Sequence, residues 1–174
     1  MSHAEIKNIF LIGDIEDKLV HDTLTSLWDD PNISKIKKLN ILIETIGGDL
    51  HCCFALLDSI QYLKAQFGFT INTFGLGKVA SAGFFLFLLG DYRVLFPSTR
   101  VFVHEHMTIN DETSTYSIKM KEFQEDKAIH DIYCAYVMNQ LNLTSAQAKK
   151  LLRKNKWLTN KEIEKFNIIT RNHE

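Results

Sequence analysis

Three short apolar runs, each closing on glycine and each leading into a stretch patterned for a helix, restrict this chain more than any other feature. Asn8 to Ile12 stops at Gly13, Leu39 to Ile43 stops before Gly47-Gly48, and Phe69 to Phe74 stops at Gly75-Leu76-Gly77. The first two read as buried strands, and the glycines after the third read as a turn. Between them, Glu16 to Leu27 sets Leu19, Val20, Leu24 and Leu27 at helical spacing behind an acidic first turn. Leu50 to Leu63 repeats that pattern through Phe54, Leu57, Ile60 and Leu63. Two successive strand-helix-strand units predict a parallel sheet covered by helices, which is an α/β fold.

A length of 174 residues fits one domain over 1–174. Twenty basic residues against twenty-one acidic ones leave a net charge of -1, which builds no field for nucleic acid or an anionic membrane. Neither partner is expected. The longest apolar run, Val79 to Leu89, is shorter than the roughly 20 residues a membrane span needs and reads as a buried helix. Cys52, Cys53 and Cys134 form no disulfide framework, and the polar start Met1-Ser2-His3-Ala4-Glu5 has no secretory pattern, so a reducing cytoplasm is expected. Cys52 and Cys53 fall in an apolar helical stretch and Cys134 in the long helical one with Tyr133 and Tyr136, so all three read as packing residues.

Further on, Tyr92 to Phe96 and Arg100 to His104 are short extended segments separated by Pro97-Ser98, and read as small paired strands. A long helix is expected over Ser117 to Leu141. Thr144 is placed to cap a helix to Leu152, and Thr159 with Glu162 has capping-box spacing. Ile168-Ile169 reads as a last strand.

The chemistry concentrates at Ala80-Ser81-Ala82-Gly83, between the Gly75 to Gly77 segment and an apolar helix. A serine there sits in the first helical turn, near unpaired N–H groups and the positive end of the dipole. Its small neighbours leave room for a substrate backbone, as in a nucleophile elbow. Taken alone, such a serine is most often a cap. Gly47-Gly48 adds a turn able to offer N–H groups to an anion, and His104 at a strand end adds an imidazole. The pair His104 and His106 has the spacing of two zinc ligands on one strand face, but no third ligand stands at a supporting distance, so no metal or other cofactor is expected.

Taken in order, these motifs resemble the proteolytic subunit of Clp protease over about residues 8 to 169. Glu44-Thr45-Ile46-Gly47-Gly48 stands where that family has a motif like Asn-Ser-Pro-Gly-Gly, and Ala80-Ser81-Ala82-Gly83 where it has Ala-Ser-Met-Gly. Phe96-Pro97-Ser98-Thr99-Arg100-Val101-Phe102-Val103-His104 looks like its Leu-Pro-Asn-Ser-Arg-(apolar)₃-His. The resemblance implies a Clp-protease/crotonase-like fold of repeated strand-helix-strand units with a protruding handle, about 105–141, after the histidine. It implies a serine endopeptidase acting on unfolded proteins or short peptides inside a homo-oligomeric ring, a heptamer that stacks in the family, with an AAA+ unfoldase as partner. Ser81 would attack the peptide carbonyl, His104 would take its proton, and the amides of Gly48 and Ala82 would hold the oxyanion.

Four departures qualify that reading. Asn155, before Trp157-Leu158-Thr159, stands where the family has its catalytic aspartate; it can orient an imidazole but brings no charge to imidazolium. Arg153-Lys154 replaces a Glu-Arg pair used between rings, so the same salt bridge cannot form. Glu105 to Asn110 replaces a glycine-rich segment beginning Gln-Pro, and the chain enters its first strand without the family's longer N-terminal segment, which weighs against the unfoldase. Two further functions stand beside the peptidase: a weakly active or non-catalytic subunit of a mixed assembly, and a crotonase-type acyl-CoA enzyme. The latter ranks last because it needs no serine and histidine at these positions.

Overall fold

The computed structural model describes residues 6–105 and 115–172, the last two without their side chains. These form two compact units, one of the described residues up to 102 together with those from 157, the other of those between 103 and 156.

In the first unit, β1 (Ile6–Ile12), β2 (Lys38–Thr45), β3 (Thr70–Ala80), β4 (Tyr92–Leu95) and β7 (Arg171–Asn172) lie in that order in a seven-stranded sheet. Each neighbouring pair is parallel, as the strand-helix-strand units require. β5 (Arg100–Val103) joins β3 in parallel farther along, at Lys78 to Ala80, and β6 (Lys156–Trp157) pairs with β5, where the Leu158 N–H donates to the Val101 carbonyl. Helices α1 (Asp17–Trp28) and α2 (Leu50–Phe67) follow β1 and β2 at the expected places, and α2 packs on α1. The Asp49 side chain caps α2 by accepting the Cys52 N–H at 2.9 Å, and Gly68 ends it in the left-handed region at φ 72. Helix α3 (Ala82–Leu88) is buried on every side and packs on β2, β3 and α2, which is why its sequence shows no polar face. Short α6 (Asn160–Lys165) starts with the Thr159–Glu162 capping box.

Five local expectations are corrected. β1 is an edge strand with one covered face: Ile9 and Leu11 are buried, but Phe10 is 58% exposed and Ile12 is also exposed. Gly75 to Gly77 is not a turn but part of β3, where the register against β2 shifts between the pairs Gly75–Ile43 and Val79–Thr45; a Cβ at Gly75 would lie 2.5 Å from Leu95 Cδ2. β4 and β5 pair with β3 at two levels, not with each other. The helix in the Val79 to Leu89 run begins only at Ala82, because Val79 and Ala80 finish β3. Finally, Ile168 and Ile169 are not a strand. The Arg93 guanidinium takes the carbonyls of Ile168 and Asn167 at 2.7 and 3.0 Å, and pairing with β4 waits until Arg171.

The second unit holds α4 (Tyr116–Leu141) and α5 (Ser145–Leu152), which pack on each other. The long helix stands where expected, and Thr144 caps α5 in a full capping box with Gln147. Ile129, Tyr133, Val137 and Leu141 of α4 are buried at four-residue spacing, and Ala148, Leu151 and Leu152 of α5 are buried on one face, three and four residues apart from Ala148. The first three turns of α4 expose Tyr116, Ile118 and Met120, and Phe123 is 64% exposed. Among the described residues no helix is long and apolar enough to cross a membrane.

Candidate active site

Ser81 lies at the bend where β3 gives way to α3, with φ 53 and ψ -124. A residue with a Cβ rarely adopts such a backbone, which costs about 1–3 kcal/mol and persists where the surroundings enforce it. Those surroundings are visible. The Ser81 N–H donates to the Phe102 carbonyl at 3.2 Å, and its own carbonyl accepts the Phe84 N–H at 2.9 Å, so strand and helix grip it from opposite sides. The strand-to-helix elbow expected from the small residues is formed.

Gly47 lies directly against this serine, since a Cβ added there would be 2.5 Å from Ser81 Cβ and 3.0 Å from Oγ. Gly83 is equally constrained on its other side, where a Cβ would fall on Thr45. Thr45 is itself buried and its hydroxyl accepts the Gly47 N–H at 2.9 Å. The loop is thus clamped: Ile15 N–H donates to Gly47 O and Asp49 N–H donates to Ile15 O, each at 2.8 Å. This parallel bridge uses the groups on either side of Gly48, so the Gly48 N–H lies outside it. The Ala82 N–H is a first-turn donor of α3, which the helix itself leaves without an acceptor. The Cys53 thiol braces the same turn by donating to the Ala82 carbonyl at 3.3 Å.

Electrostatics around this loop are mild. The Cys52 main-chain N–H on the Asp49 carboxylate holds that group below its ordinary range. Burial, followed by a hydrogen bond to Asp17, pushes the Cys52 thiol up to about 11, and burial pushes Cys53 up as well. All three cysteines are free and buried. Among the described residues no three His, Cys, Asp or Glu side chains cluster as a metal site would require; His106 and the departures at 106–110 lie outside the described residues.

His104 and Asn155 belong to the second unit. His104 is half-buried directly after β5, and its Nδ1 lies 2.5 Å from the carbonyl oxygen of Glu105. Its own carbonyl accepts the Tyr133 hydroxyl at 2.6 Å. Asn155 is exposed and has φ 46, a left-handed conformation that asparagine tolerates better than most residues. Arg153, two residues earlier, pairs within the chain: its Nε donates to Glu105 Oε1 at 3.1 Å. Sequence reasoning missed the Glu105 carbonyl and Tyr133 as hydrogen-bond partners of His104, and nothing in their local spacing marks them.

Comparison with known proteins gives one consistent result. The Clp protease family model matches residues 3–171. The chain is 25% identical over 173 residues to ATP-dependent Clp protease proteolytic subunit 2 of Treponema denticola, which covers 95% of this chain and 80% of that protein. It is likewise 25% identical over 169 residues to ATP-dependent Clp protease proteolytic subunit 1 of Rhodococcus jostii, covering 95% and 74%. In fold it is similar to a ClpP1 asparagine-to-aspartate mutant from Listeria monocytogenes, with TM-score 0.80 at 21% identity, over 96% of this chain and 91% of that one.

Proposed function

The chain belongs to the Clp protease family, and from that premise we propose that it is a serine endopeptidase subunit, hydrolysing unfolded proteins or short peptides inside a homo-oligomeric ring. The observation that carries this reading is Ser81, held in a strained elbow with Gly47 against its Cβ. Nothing about a merely structural cap requires that backbone. In the proposed reaction Ser81 Oγ attacks the scissile carbonyl while His104 Nε2 accepts the hydroxyl proton. The N–H groups of Gly48 and Ala82 receive the oxyanion. As the tetrahedral intermediate collapses, the C–N bond breaks and the imidazolium returns its proton to the leaving amine. Water then cleaves the acyl-enzyme by the same route. Asn155 stands at the sequence position of the family's acid, without the charge that would stabilise imidazolium.

Exposed Phe10 and Ile12 on the sheet, and Tyr116 and Phe123 on α4, fit surfaces that an assembly covers. We extend the family's heptameric, stacking ring to this chain on that basis. An AAA+ unfoldase partner belongs to the same proposal, supported by relatives whose names include ATP dependence. Three free cysteines agree with a reducing cytoplasm. A fluorophosphonate should modify Ser81, as read by mass spectrometry, and Ser81→Ala should abolish the adduct; a folded assembly that never reacts overturns the peptidase reading. Native mass spectrometry tests the ring, and a strictly monomeric protein under all conditions refutes it. The neutral Asn155 also favours a second reading, a weakly active subunit of a mixed assembly. Asn155→Asp, by supplying a carboxylate, then raises turnover.

A further inference from the structure

Resting on that reading of His104, we propose that the tautomer of its imidazole is set by the main-chain carbonyl of Glu105, not by the side chain at 155, and that Tyr133 and Arg153 are the positioning residues that hold this carbonyl in place. The first step is chemical. A carbonyl oxygen has lone pairs and no proton, so the close approach of His104 Nδ1 to Glu105 O requires the proton to be on Nδ1. The neutral ring then keeps its lone pair on Nε2, the atom a serine nucleophile needs. A side-chain amide at position 155 cannot guarantee this, because it can present either its oxygen or its NH₂. A peptide carbonyl has no such ambiguity.

What remains is to fix the carbonyl itself, which depends on the two peptide planes at 104 and 105. Tyr133, 2% exposed on α4, donates its hydroxyl to the His104 carbonyl and so fixes the plane before Glu105. Arg153, the C-cap residue of α5, holds the Glu105 side chain through Nε. The two anchors differ in strength. Arg153 is exposed and Glu105 partly so, and solvent screens the pair, so Arg153 contributes less than the buried phenol. A structural explanation for Tyr133 is that its hydroxyl merely finds an acceptor; that explanation gives it no influence on where the imidazole proton sits.

The test is therefore the proton. Magic-angle-spinning ¹⁵N NMR of the full chain labelled at histidine, near pH ~8.5 where ordinary histidines are neutral, reports which ring nitrogen is protonated; His104→Gln identifies the signals. The expected result is an Nδ1–H tautomer in the wild type and in Asn155→Ala, and a mixture in Tyr133→Phe, with the rate of fluorophosphonate labelling at Ser81 falling about tenfold in the last. A wild-type Nε2–H tautomer, an unmixed one in Tyr133→Phe, or its loss in Asn155→Ala overturns the proposal. Should Tyr133→Phe fail to fold, Glu105→Arg and Arg153→Glu each slow labelling a few-fold and their combination restores it; no restoration removes Arg153. An Nδ1–H tautomer in a protein that fluorophosphonates never label upholds this assignment and sinks the peptidase reading instead.

Discussion

Replacing Gly47 by alanine would bring a methyl group against the nucleophile position, and the structure allows its cost to be worked out. Two contributions add. The backbone at Gly47 has φ 113, where any L side chain is strained by about 1–3 kcal/mol. Gly13 isolates this contribution, because its φ is 97 and a Cβ there meets nothing within 4 Å. At Gly47 the new Cβ would lie 2.5 Å from Ser81 Cβ, 3.0 Å from its Oγ and 3.2 Å from the Ala80 carbonyl oxygen. Carbon atoms prefer roughly 3.5–4.0 Å, so Ser81 would have to recede by about an ångström. It is gripped through its N–H and its carbonyl and cannot do so freely. Overpacking of this kind costs about 1–3 kcal/mol more. Gly47→Ala should therefore be about 2 kcal/mol worse than Gly13→Ala in urea unfolding at fixed protein concentration, and labelling of Ser81 should be lost. Ser81→Gly removes the two nearest obstructing atoms, Cβ and Oγ, and relieves the strain of φ 53, so alone it should stabilise by about 1 kcal/mol. In the Gly47→Ala background it should recover about 2 kcal/mol beyond that. A coupling energy within the usual additivity error of about 0.5 kcal/mol would refute the contact.

Other expectations follow from the same fold. Arg93, 8% exposed, donates to Ile168 O, Gly90 O and Asn167 O, so Arg93→Met should cost about 3–5 kcal/mol by urea unfolding; Arg93→Lys should recover less than half, because one ammonium cannot match a fork. Asp49 is held below the ordinary 3.8 chiefly by the Cys52 N–H, and Asp30 chiefly by Lys7 at 2.8 Å. Depressed folded-state values mean that this stability is complete above the ordinary carboxylate value and lost as pH falls through the lowered ones; the urea midpoint should drop below about pH 4, and less steeply in Asp49→Asn, which keeps the cap. With Cys52 pushed up to about 11, iodoacetamide near neutral pH should alkylate the folded protein far more slowly than the urea-unfolded chain, and equal rates would refute the burial of that thiol.

The parts of this fold that sequence made legible are those encoded by volume and period within a few residues. Leu50 to Leu63 announced α2 because one helical stripe is apolar, and the small residues around Ser81 announced an elbow because a larger side chain at Gly47 or Gly83 would collide there. Glycine is ambiguous outside that context. Gly75 reads like a turn residue, yet it serves Leu95's approach inside β3, and the same ambiguity hid that β3 is long enough to pair β4 and β5 in succession. Phe10 and Ile12 misled for a different reason: an apolar run gives the same pattern whether its second face meets a helix or lies open at a sheet edge. Around His104 the limit is deeper. Arg153 and Glu105 meet across 48 residues, and Tyr133 touches a carbonyl, not a side chain. Every residue has a carbonyl, so an acceptor of that kind leaves no mark in the alphabet of side chains. That is why Asn155, a side chain in the family's place for an acid, drew the sequence reading toward itself, while the oxygen beside Nδ1 belongs to the backbone of the next residue.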